Sequence, residues 1–204
     1  MVSRHRALAF LGGIFTMPLT AHTQSLFTKP TPQAAKLIAA AQSQIGKTLT
    51  YDPAYTSIAY PMGDVAFEKG VCTDVIIRAY LQALGIDLQQ LVHEDMAQNF
   101  SAYPQSWGLT HPNTNIDHRR VPNLRMFFKR QAAVLPNSAN AAEHRPGDII
   151  SVELPGHLSH ITLVTHLANA EGTRKLCLHN IGGGTQMEDM LFTFAHTGHY
   201  RYQL

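Results

Sequence analysis

The apolar positions change period once along the chain, close to residue 147. Before that point they recur at helical spacing. Thr31-Pro32 supplies an N-cap followed by a proline at the first helical position, and Ala34, Ala35, Leu37, Ile38, Ala41 and Ile45 then share one face until Gly46. A second helix is predicted from about Val71 to Leu84. Val75, Ile76, Ala79, Tyr80, Ala83 and Leu84 form its stripe, Cys72 joins that stripe in the first turn, and Gly85 is the stop. Two more helices are predicted, from about Leu88 to Phe100 and from about Val121 to Gln131. After Pro146-Gly147 the runs DIISVEL, HITLVTHL, KLCLHNI and MLFTFAHTGHYRY are β-branched or aromatic and divided by Gly, Pro, Asn and Asp, so they read as strands. Helices first and antiparallel strands afterwards predict an α+β fold, with the N-terminal helices packed on one face of the sheet.

Composition narrows this picture. A chain of 204 residues, 45% hydrophobic and 15% charged, has the makings of one domain with a real core and not of a disordered chain. Sixteen basic against fourteen acidic residues, with no basic stripe, give no reason to expect a nucleic-acid partner. The first residues read as an export signal. Arg4, His5 and Arg6 precede an apolar run from Ala7 to Leu19, and small and polar residues follow from Thr20 to Gln24. The run is shorter than the roughly 20 residues that span a bilayer. The expectation is therefore a signal peptide over residues 1–23 and a single domain over 24–204. The mature protein would be periplasmic or secreted, with no membrane attachment after cleavage; an uncleaved anchor is the competing reading.

Twelve histidines and two cysteines hold the candidate chemistry. Cys72 opens a predicted helix, where unpaired N–H groups favour a thiolate, so its pKa is expected below the free-thiol value of about 8.5. The plainer reading is a small buried hydrophobe. His160 stands at the start of one strand and His179 in the next, where antiparallel pairing sets them side by side. Alternation puts His179 with Cys177 and Ile181 on one face and Asn180 with Leu178 on the other, so only one of His179 and Asn180 can serve as the third member of a Cys–His–polar triad. The same Cys72, His160 and His179 would also suit zinc. Asp117, His118, Arg119 and Arg120 form a charged patch able to hold a substrate carboxylate, or merely to make local ion pairs. His93-Glu94 begins a zincin-like motif, but Ala97 stands where its second histidine belongs. The glycines of IGGGTQ predict a tight turn.

The blocks YDPAY, IAYPMGDV, GVCTDVIIRAY, LVHEDM, NTNIDHRRVPNL, PGDII, LSHITLVT, LHNIGGG and TGHYRY, in order from about residue 47 to the C-terminus, resemble an exported bacterial family whose domain has no assigned function. That family in turn resembles the NlpC-type, papain-like cysteine peptidases and amidases of the cell wall. The resemblance implies a papain-like α+β fold and an amide-bond hydrolase acting on peptidoglycan stem peptides, with neither cofactor nor metal. It implies Cys72 as nucleophile, His160 as base, His179 as orienting residue and Tyr51 as an oxyanion contact. The chain departs from the pattern around its nucleophile, with Val71-Cys72-Thr73-Asp74 where such enzymes show Asp-Cys-Ser-Gly, and Ile161-Thr162 where a glycine follows the histidine. Two other readings remain open at this stage: a non-catalytic cell-envelope binding domain on the same fold, and a zinc-dependent hydrolase using the same three side chains.

Overall fold

A computed structural model describes residues 28–204; the expected signal peptide lies outside the described residues. The elements run α1 (Pro32–Gln42), β1 (Thr50–Tyr51), β2 (Lys69–Gly70), α2 (Cys72–Leu84), α3 (Leu88–Asn99), α4 (Val121–Arg130), β3 (Val134–Leu135), β4 (Ile149–Leu154), β5 (Leu158–Ala168), β6 (Lys175–Asn180), β7 (Thr185–Glu188) and β8 (Ala195–Tyr200). All four helices begin within a residue of where periodicity put them. Thr31 Oγ1 accepts from the Ala34 amide at 3.1 Å, Asp87 caps α3 through the amides of Gln89 and Gln90, and Gly85 ends α2 in the left-handed conformation at φ 66°.

The sheet is antiparallel, in the order β3-β8-β4-β5-β6-β7, so the fold is α+β. Its two faces carry different cores. Ile149, Ile161, Leu163 and Leu178 meet the helices through Leu37, Ile38, Ile76, Tyr80, Leu124, Phe127 and Phe128. On the far face Ile150, Val152, Val164 and Cys177 are covered by Met190 and Leu191 from the turn before β8. The expected strand at MLFTFAHTGHYRY is therefore shorter, Ala195–Tyr200, because its first apolar residues cap the far face instead. Each large apolar side chain buried this way contributes roughly 1.5–3 kcal/mol.

Three short strands and β7 are additional to the sequence reading. β1 and β2 form a small parallel pair with Tyr51 opposite Gly70. β7 follows the glycine turn, as IGGGTQ predicted, and Gly184 sits so close to the Thr48 carbonyl that a side chain there would collide with it. That approach lets the Thr185 amide donate to Thr48 O at 2.9 Å, tying the end of the sheet to the loop before β1. No helix among the described residues is long and apolar enough to cross a membrane.

Candidate active site

β2 delivers the chain straight into α2, so Cys72 is the first helical residue and Tyr51 lies beside it through the β1–β2 pairing. Asp74, at the third helical position, accepts from the Val71 amide at 2.7 Å and from Arg119 twice, at 3.0 and 2.9 Å. This bidentate pair is buried on both sides. The residue that breaks the expected motif is thus the one that locks the helix start to the distant 3₁₀ turn at Asp117–Arg119.

Cys72 is 3% exposed, and its sulfur lies against the backbone amides of Ile161, Thr73 and its own residue. Burial pushes its thiol up to about 12; those amides pull the other way and the Asp74 carboxylate adds to the rise. The lowered pKa expected from the helix N-terminus is therefore reversed, because the sulfur is sealed from water and its nearest charge is negative. Cys72 borders a cleft of about 470 Å³ whose walls include Tyr51, Trp107, Arg119, Arg120 and Ser159. Tyr51 is partly exposed there, and burial, with Cys72 and Asp74 nearby, raises its hydroxyl to about 12, so it remains a hydrogen-bond donor at neutral pH.

Alternation on β5 and β6 brings His160 and His179 together. His160 Nε2 and His179 Nδ1 are 3.1 Å apart, with the rings edge to face, and His179 Nε2 meets Glu188 Oε2 at 2.9 Å. A carboxylate accepts, so His179 Nε2 holds the hydrogen and its Nδ1 is bare. That bare nitrogen accepts from His160 Nε2–H, which leaves His160 Nδ1 as the free base. Nδ1 has no hydrogen-bond partner among the described residues. Burial draws His160 down to about 3, with His179 adding to the effect, and lowers His179 as well, so both rings are neutral near pH 7.

Asn180 does not fill the third position. Its amide donates to Gly70 O at 3.0 Å, on the opposite face, and so braces the strand that feeds Cys72. Cys72 lies against the amide of Ile161 on the helix face of the sheet, whereas His160 pairs with Val152 and shares the far face with Val164 and Cys177, so the expected Cys72–His160 pair is not brought together. No group of three or more His, Cys, Asp or Glu side chains among the described residues is placed to hold a metal, so Cys72, His160 and His179 do not converge as zinc ligands. Cys72 and Cys177 are both free and buried, and Cys177 faces the far core.

The charged patch divides. Asp117 is buried, accepting from the Asn113 amide at 2.6 Å and facing His93 Nδ1 at 3.4 Å. His118 is buried and drawn down to about 4, chiefly by burial. Arg119 is spent on Asp74 and on the carbonyls of Ala54 and Asp52. Three of the four are structural, and only Arg120, over the Trp107 ring, faces the cleft without a polar partner. Sequence reasoning passed over Glu188, Asp74 and Trp107. A strand read through TQME would have flagged Glu188; no local signal marks the other two.

A small α+β domain with a buried cysteine at a helix start and a histidine relay on its sheet is the class these features define. Residues 38–202 match the family described as Domain of unknown function (DUF1287), and the chain belongs to that family. It is also similar to the uncharacterized protein YijF of Escherichia coli strain K12, 53% identical over 162 residues, covering 79% of this chain and 78% of that protein.

Proposed function

We propose that this protein is a papain-like, NlpC-type cysteine hydrolase that cleaves an amide bond in peptidoglycan stem peptides, exported to the periplasm or beyond. The reading is supported by Cys72 at the start of α2 on the cleft and by the chain Glu188–His179–His160, which leaves His160 Nδ1 bare; because His160 pairs with Val152 on the far face, the proton transfer below requires the start of β5 to turn that ring toward α2. Because both partners rest uncharged, activation is by proton transfer during attack rather than from a standing thiolate. As the Cys72 sulfur bonds to the carbonyl carbon, its proton passes to His160 Nδ1. In this reading the Cys72 amide and the Tyr51 hydroxyl stabilise the oxyanion. Collapse breaks the carbon–nitrogen bond, and His160 returns the proton to the leaving amine. Water then attacks the thioester, His160 again taking and returning a proton, and the acid and free thiol are released.

A second reading, a non-catalytic cell-envelope binding domain, is favoured by the sealed, strongly protonated Cys72. Purified peptidoglycan digested with the wild-type protein and with Cys72→Ala, read by mass spectrometry, separates the two. The hydrolase reading expects new amine and carboxyl termini with wild type only. Intact fragments that nonetheless bind the wild-type protein would replace it with the binding reading.

A further inference from the structure

Arg119 and Arg120 are neighbours with opposite fates. Arg119 gives hydrogen bonds to one carboxylate and two carbonyls. Arg120 gives none: among the described residues no guanidinium nitrogen of Arg120 has a hydrogen bond or ion pair, and its Nη1 is buried without a partner. Its guanidinium carbon instead lies 4.1 Å from the centroid of the Trp107 ring. Buried donors are rarely left unmet, and a guanidinium has five. Asp117, the acidic side chain that bears on Arg120, is held through Oδ2 by Asn113 and His93, and its Oδ1, buried without a partner, makes no hydrogen bond or ion pair to Arg120. Arg120 lines the Cys72 cleft and also a void of about 10 Å³ shared with Asn123, whose Oδ1 is likewise unpaired. A void that small has room for about one water, which meets one donor and leaves the rest of the fork.

We propose that Arg120, held over the Trp107 ring, is a binding site for a carboxylate on the ligand of the Cys72 cleft. The indole contact holds the guanidinium at the cleft with its donor fork unpaired, and such a fork is matched by the two oxygens of a carboxylate. The ligand class is then a peptide bearing a free carboxylate close to the amide that lies over Cys72. The anion site stands on Arg120 and Trp107 alone; only the position of the reacting amide rests on the hydrolase reading.

Trp107 is the single tryptophan of the chain, so the site carries its own fluorophore. The test uses Cys72→Ala protein, which binds without turnover, titrated with N-acetyl-glutamyl-alaninamide and with its neutral glutaminyl counterpart while tryptophan emission is followed. The expected result is a saturable change with the glutamyl peptide at an affinity about 10- to 100-fold above the glutaminyl one, the range of one charge-assisted bidentate pair. Adding Arg120→Gln should erase that preference, and Arg120→Lys should restore part of it, with melting temperatures showing that both variants fold. Equal responses, no saturable response to either peptide, or a preference that survives Arg120→Gln would overturn the proposal. A carboxylate preference in a wild-type protein that cleaves nothing would sink only the hydrolase reading; cleavage with no carboxylate preference would sink only the Arg120 site.

Discussion

On the far face of the sheet, His160, His179 and Glu188 stand on three consecutive strands and are joined by bonds of 3.1 and 2.9 Å. On the loop side, Arg119 and Arg120 stand on one turn, one tied to a carboxylate 45 residues away and the other held over an indole. The sheet side follows from register: once β5, β6 and β7 pair, alternation alone brings the three groups together. The loop side follows from no repeating pattern and hangs on single long-range contacts. The relay on the sheet should therefore tolerate substitution with local consequences, whereas damage to the loop wall should spread.

The largest effect should come from removing the loop wall's anchor. Asp74→Ala strands a buried guanidinium and uncaps α2, and should lower unfolding free energy by about 3–5 kcal/mol. Urea denaturation measures it; a loss below about 1 kcal/mol would show that the loop wall is held by something else. Acid should act next, and on both regions. His160, His118 and His144 have pKa values drawn down to about 3, 4 and 4, mainly by burial. A depressed folded pKa gives stability that is present above the unfolded value near 6.5 and lost as pH falls toward the folded values. Urea midpoints should thus decline from pH 6.5 downwards, before the carboxylate range is reached. A flat response down to pH 4.5 would contradict the neutral, buried state of these rings.

The smallest effect should separate the two regions most sharply. Glu188 is half exposed, so Glu188→Gln should leave the melting temperature nearly unchanged. On the proposed hydrolase reading it should lower kcat about tenfold with KM little altered, because an amide no longer fixes the His179 tautomer and the free-base form of His160 Nδ1 is only partly populated. Any such variant with unaltered kcat and pH profile removes Glu188 from the relay.

The contrast also explains what the sequence made legible. The α2 stripe and Gly85 gave the helix, and parity on β6 reduced the third position to a choice between His179 and Asn180, which register decides. Glu188 is hidden because TQME is too short, with Met187 its one apolar residue, to show a strand pattern of its own; β7 exists through its pairing with β6. Arg119 and Arg120 are indistinguishable as letters. A single 3₁₀ turn sends one toward Asp74 and the other toward Trp107, and neither partner is near in sequence. The Cys72 shift runs opposite to the sequence expectation for a related reason: helix position is readable locally, while the burial of the sulfur involves Ile161 of β5, about 90 residues on.

The last strand in the sequence is not at the edge of the sheet. β8 lies between β3 and β4, Arg201 clasps Asp148 at 2.7 and 2.8 Å, and the Tyr80 hydroxyl bonds the Tyr202 carbonyl at 2.8 Å. A nascent chain emerging from the ribosome therefore makes every helix and five of the sheet's six strands before it has the piece that joins them. Until residues 195–202 arrive, β4 presents an open edge, β3 has no neighbour, and Phe127 and Phe128 lack the Tyr200 and Tyr202 rings they stack on. The sheet cannot close until residues 195–202 are made, and a truncation that removes them should yield an aggregation-prone product rather than a smaller domain.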